Sequence, residues 1–188
     1  MQTRFTPLTL DQMSPEQRRI AERRMNGPLK RLGAPMNVYI RSPSLAEVVE
    51  PLSDYLRAQP LAIPDRLREL VILTMARHWT GQYPWSAHYP LAIKAGFSPA
   101  QLGQVAAGKR PDGLTQDEAA VYDFCKSLLD RHSVDDAHFA AVVARYGERG
   151  VAELVGLMGA YTTACLATIV DRSPLQEGSP RLEPLTQG

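Results

Sequence analysis

Leu67-Arg68-Glu69-Leu70-Val71-Ile72-Leu73-Thr74-Met75-Ala76 is the stretch that decides the fold. Its apolar residues cover nearly every face of a helix, the pattern of an element buried on several sides rather than laid on a surface. Pro64 is placed to begin this helix and Gly81 to end it. Glu69 lies inside the run, and His88 follows nineteen positions later in Trp85-Ser86-Ala87-His88-Tyr89. A charge buried alone in such surroundings costs several kcal/mol unless it pairs, hydrogen-bonds or shifts its pKa. Glu69 and His88 are therefore the leading candidates for an acid–base pair.

Outward from this run the chain reads as helices. Ser14-Pro15-Glu16-Gln17 combines an N-cap, a proline at the first helical position and a capping-box glutamine, and its helix should stop near Asn26-Gly27-Pro28. Leu29 to Pro43 has the punctuation of a loop. Ser44-Leu45-Ala46-Glu47 is a second capping box, opening a helix to about Ala58 that Pro51 should bend. Pro84 can start the helix that carries His88, with Gly96 as its stop and Pro90 interrupting it shortly after the histidine. Ser98-Pro99-Ala100-Gln101 and Thr115-Gln116-Asp117-Glu118 cap two more. Ser133 begins a helix with Phe139, Val142, Val143 and Tyr146 on its inner stripe, ending at Gly147, and a last helix spans about Gly150 to Val170. Nothing reads as a strand ladder. The expectation is an all-α, single-domain bundle of about seven to eight helices. Residues 1–60 form an N-terminal extension of that domain, 61–170 its core and 171–188 a tail. With Pro174, Gly178, Pro180 and Pro184, the tail is expected to be disordered or laid across a neighbouring subunit.

Composition removes several function classes. The chain has 188 residues with 21 basic and 20 acidic side chains, a net charge of +1, and so no electrostatic footprint for nucleic acid or an anionic membrane surface. The arginines between Arg18 and Arg24 are interrupted by Glu22 and fit a solvated helix face. Cys125 and Cys165 stand forty positions apart in helix-like segments, which fits a reduced, cytoplasmic setting. The N-terminus lacks a secretory apolar core, and no apolar run is expected to reach bilayer length; Val151 to Val170, broken by Glu153, reads as a core helix. His132 and His138 share no clean helical face and have no cysteine pair beside them, so no metal site is expected.

Arg68-Glu69-Leu70-Val71-Ile72-Leu73, followed by Trp85-Ser86-Ala87-His88-Tyr89-Pro90-Leu91-Ala92-Ile93-Lys94-Ala95-Gly96-Phe97-Ser98, resembles the carboxymuconolactone decarboxylase family, which includes the alkylhydroperoxidase D-like proteins. The resemblance extends through Gly108 and more weakly to Glu153-Leu154-Val155. It implies an all-helical alkylhydroperoxidase D-like fold, assembly into a dimer, trimer or hexamer, and a pocket between helices. In alkylhydroperoxidase-like members a Cys-x-x-Cys pair precedes the histidine by one turn and a glutamate on the previous helix joins a proton relay. The glutamate falls on Glu69, the histidine on His88, and the cysteine positions on Gly81 and Pro84.

Glycine and proline can neither attack an O–O bond nor resolve a sulfenic acid, which disfavours peroxiredoxin activity. The remaining acid–base pair suits a lyase that removes carbon dioxide from a carboxylated lactone or related enolisable acid, chemistry that needs no cofactor. In that reading His88 is proton donor or oxyanion stabiliser, and Glu69 orients it and raises its pKa. Tyr83 and Trp85 would shape an aromatic wall, and Arg77 or His78 would meet a substrate carboxylate. Plainer readings stand beside these: Glu69 pairing with Arg66 or Arg68, His88 as a core histidine, and the whole chain as a non-catalytic helical oligomer.

Overall fold

Helix α4, Asp65–Trp79, is the axis of the molecule in a computed structural model that describes residues 3–27, 30–175 and 178–184. Around it lie α5 (Gln82–Lys94), α6 (Pro99–Ala106), α7 (Gln116–Arg131) and α8 (Asp136–Asp171). With neighbours on several sides, Leu67 and every residue from Glu69 to Arg77 is buried. Leu70 and Leu73 are fully enclosed, each contributing about 1.5–3 kcal/mol of burial. Three N-terminal helices, α1 (Pro15–Asn26), α2 (Ala34–Tyr39) and α3 (Pro43–Ala58), complete an all-α fold of eight α-helices among the described residues.

The capping boxes predicted at Ser14, Ser98 and Thr115 all form. The one predicted at Ser44 does not, because α3 starts a residue earlier, at Pro43, whose missing N–H needs no cap. Leu29 to Pro43 is not all loop. Gly33 turns the chain at φ 80°, Pro35 sits in the first turn of α2, and Met36 and Tyr39 are buried with Ile20, Ala46 and Ala167 in a satellite core. That burial, invisible to local punctuation, makes the short helix. α1 ends at Asn26 with Gly27 as its C-cap, at the expected stop; Pro28 lies outside the described residues.

Thr80 rather than Gly81 closes α4, taking the left-handed conformation at φ 52° while Gly81 N–H donates to Ala76 O at 2.7 Å. α5 runs on through Pro90. Asp135, not Ser133, caps α8, accepting from His138 N at 2.9 Å. The two helices read on either side of Gly147 form one element broken there by a kink, at φ 65° and ψ 179°, a conformation essentially confined to glycine. Of the predicted inner stripe, Val142 is buried and Tyr146 packs partly buried against the core, while Phe139 is 45% exposed.

α8 corrects a further expectation. It is long and apolar enough to cross a membrane by length and composition, yet Leu154, Leu157, Met158, Tyr161 and Cys165 line its inner face in the core. Its charged Glu153 is buried but answered, accepting from Tyr55 OH, Ala62 N and Arg149 Nε at 2.9, 2.6 and 2.8 Å. The described part of the tail lies across its own chain: Leu182 is buried in the main core, and the Gln82 side chain bonds both its N–H and its C=O at 3.0 and 2.6 Å. One apolar side chain, a side-chain amide that imitates a backbone partner and the Arg77 guanidinium, which donates to Glu183 O at 2.7 Å, hold it.

Candidate active site

The two-residue connection between α4 and α5 folds these helices against each other, and Glu69 of α4 meets His88 of α5. The Glu69 Oε2 to His88 Nδ1 distance is 2.7 Å, with the residues 6% and 4% exposed. The plainer partners of Glu69 are taken elsewhere, Arg66 by Glu118 and Arg68 by Asp65. On the far side of the ring, the Tyr161 hydroxyl of α8 lies 3.0 Å from His88 Nε2, the two rings meeting edge to face.

These contacts fix the tautomer. A carboxylate only accepts, so Nδ1 carries the proton and donates it to Glu69, leaving the Nε2 lone pair to accept from Tyr161 O–H. Burial lowers the proton affinity of His88, and the hydrogen bond and charge of Glu69 oppose this without reversing it. Glu69 does act to raise the histidine pKa, as expected, but desolvation outweighs one carboxylate here and the net shift is downward. Burial also pushes the Tyr161 phenol up, so it keeps its proton as a donor. The resting site is a chain of hydrogen bonds from the Glu69 carboxylate through a neutral His88 to the Tyr161 hydroxyl.

Tyr161 escaped the sequence reading because a tyrosine within an apolar helix, remote from the other two in the chain, reads as core. Its hydroxyl was the available signal, since a buried O–H needs a partner. His88 and Tyr161 both line a cavity of about 470 Å³ whose walls are otherwise largely apolar, among them Leu32, Met36 and Leu56. Tyr83 lines it too.

The structure does not bring the remaining candidates to this cavity. Trp85 is buried against Tyr89, with its indole N–H unpartnered. Arg77 is spent on structure, donating to Ala106 O and Glu183 O at 3.1 and 2.7 Å and to Thr80 Oγ1 at 2.7 Å. His78 is exposed, edge-on to Trp79. Among the described residues no three His, Cys, Asp or Glu side chains converge as metal ligands would.

Gly81 has a steric role that its sequence position conceals. A Cβ there would stand 2.8 Å from Cys165 Sγ, so the sulfur of α8 occupies the space a side chain at 81 would need. Burial pushes the Cys165 thiol up to about 12, and Cys125, in the main core, likewise.

Residues 43–126 match the family model described as the carboxymuconolactone decarboxylase family. No curated protein matches the chain. Among solved structures, an uncharacterized peroxidase-related protein with an alkylhydroperoxidase AhpD core, from Ralstonia eutropha JMP134, superposes with a TM-score of 0.74 at 12% identity, covering 93% of each chain. An AhpD-type protein of unknown function from Agrobacterium tumefaciens gives 0.64 at 16% identity, covering 77% of this chain and 99% of its own. The debrominase Bmp8 gives 0.71 at 18% identity over 94% of each chain. The segment from residue 43 to residue 126 therefore belongs to the carboxymuconolactone decarboxylase family, within a chain whose fold is alkylhydroperoxidase D-like.

Proposed function

We propose that this protein is a small-molecule enzyme that decarboxylates a carboxylated lactone or related enolisable acid through a Glu69–His88–Tyr161 proton relay. The observation that carries this is the unbroken pair of hydrogen bonds, 2.7 and 3.0 Å, ending at the cavity. The reaction breaks the bond to the carboxylate, carbon dioxide leaves, and the electron pair passes into the lactone carbonyl as an enolate. That carbonyl is the electron sink, so the step requires no other. One proton is consumed: it enters at His88 Nε2, moves to Tyr161 O as the proton of Tyr161 passes to the substrate carbon, and Glu69 balances the transient imidazolium. Bmp8 is known in complex with 2,3,4-tribromopyrrole. That ligand is a five-membered ring, and a carboxylated lactone is the five-membered ring proposed for this cavity.

The test is carbon dioxide release from a panel of carboxylated lactones and 3-oxo acids. Tyr161→Phe and His88→Gln should each lower kcat by about 10²-fold or more with unchanged far-ultraviolet circular dichroism. Full activity in either variant ends the proposal.

Peroxide reduction is the second reading, favoured only by the position of Cys165 beside Gly81. It needs a thiolate and a resolving thiol, and both cysteines are buried with raised pKa. These free thiols also support a reducing, cytoplasmic location. We infer assembly into a dimer, trimer or hexamer from an exposed apolar stripe on α3, formed by Leu45, Val48, Leu52 and Tyr55 at helical spacing.

A further inference from the structure

The wall of the cavity contributed by the N-terminal segments carries charge that the proton relay does not use. Arg24, Arg31 and Arg57 all line the cavity. Arg24 is 8% exposed; its Nε donates to Leu32 O at 2.8 Å, but its Nη1 has no hydrogen-bond partner, and the nearest carboxylate oxygen, of Asp54, stands 3.8 Å away. Glu50, the other carboxylate close enough to act on Arg24, is held by Arg23. Arg57 makes no side-chain hydrogen bond or ion pair among the described residues, and it lies near enough to His88 and Tyr161 to act on both. Tyr39, also on this wall, is 8% exposed with a hydroxyl that closes no hydrogen bond of good geometry; Thr163, near enough to act on it, gives its own proton to Ala160 O. Three cations against one loosely paired carboxylate, with a guanidinium N–H and a phenol O–H unsatisfied, form a site short of an acceptor. An orphaned buried donor destabilises the empty cavity, and an anionic ligand accepting from it recovers that cost.

We propose that Arg24, Arg57 and the Tyr39 hydroxyl form a carboxylate-binding subsite that seats an amphiphilic organic acid, its apolar body lying among Leu32, Met36 and Leu56 and its reactive end toward Tyr161. This deepens the function proposed above and rests on it for the identity of the reactive end. Arg24 and Tyr39 precede residue 43, so two of the three groups come from outside the matched family segment. Acid recognition is thereby assigned to this chain's own N-terminal helices. The spent Arg77 and exposed His78 leave that role vacant.

The test uses two probes of one shape, 2-naphthoate and 2-naphthamide, titrated calorimetrically against the full chain at low salt. The wild type should bind the acid at least about tenfold more tightly than the amide, as expected for a charge-assisted bond. Arg57→Gln and Tyr39→Phe should each remove most of that preference and leave amide affinity unchanged. Arg24→Gln should do the same if it folds, and the other two variants decide the matter if it does not. His88→Gln should leave the preference intact, which separates this subsite from the proton relay. Equal binding of acid and amide, failure of the wild type to bind either, or a preference that survives both Arg57→Gln and Tyr39→Phe overturns the proposal.

Discussion

His88 is held from both sides, by an acceptor at Nδ1 and a donor at Nε2; the Tyr161 bond favours the neutral ring, the Glu69 carboxylate favours the charged one, and burial outweighs Glu69. Its lowered proton affinity has a consequence for stability. An unfolded histidine titrates near 6.5, and the folded one below that. Above pH 6.5 both states are neutral and the contribution of the site is fully present. As pH falls below 6.5 the unfolded chain binds a proton that the folded chain refuses, so stability is lost until the folded pKa is passed. His78 is shifted the same way, so the contribution of His88 is the difference between wild type and His88→Gln. Urea unfolding between pH 5 and 7.5 should show a shallower acid-side loss in the variant; parallel curves would refute the buried neutral state. Catalysis runs the opposite way, because the relay consumes a protonated His88. Decarboxylation should accelerate as pH drops from 8 toward that lowered pKa, and a rate that declines over the same range would reassign His88 as a base.

At the scale of elements, the junction of α4, α5 and α8 is closed by one sulfur. Gly81 lies at φ −74°, which any residue adopts, so its constraint is space and not backbone. Gly81→Ala would put a methyl 2.8 Å from Cys165 Sγ and 3.3 Å from its Cβ, against a side chain with no exposed surface. The expected cost is about 1–3 kcal/mol, typical of overpacking. Adding Cys165→Ala should recover most of it, a non-additivity that a double-mutant cycle in urea reads directly. Independent effects would mean that the two positions do not share this space. The same pair explains how Gly81 is easily taken for a helix stop. Glycine is the commonest C-terminal signal, and nothing near residue 81 in the chain announces that residue 165 fills its place.

For the whole molecule, the test of assembly is mass. Light scattering after size exclusion should give a multiple of 20.8 kDa, and Val48→Asp, at a site 71% exposed in the single chain, should reduce it. A wild-type monomer at micromolar concentration would exclude the inferred oligomer.

The all-helical fold and three of its caps were legible in the sequence, because hydrophobic periodicity and capping boxes act over a few residues. Glu69 and His88 were legible for a related reason: a titratable group inside an apolar run is an anomaly visible locally. Helix α2, the course of the tail, the Tyr161 end of the relay, the direction of the His88 shift and the arginine wall were decided only by tertiary structure. Each depends on what burial removes from water and on which distant atom then faces it. Leu182 needs its slot and Gln82; Tyr161 needs His88; Arg24 needs a cavity with too few acceptors. Periodicity reports that a residue is inside. Only the packed chain determines what it meets there.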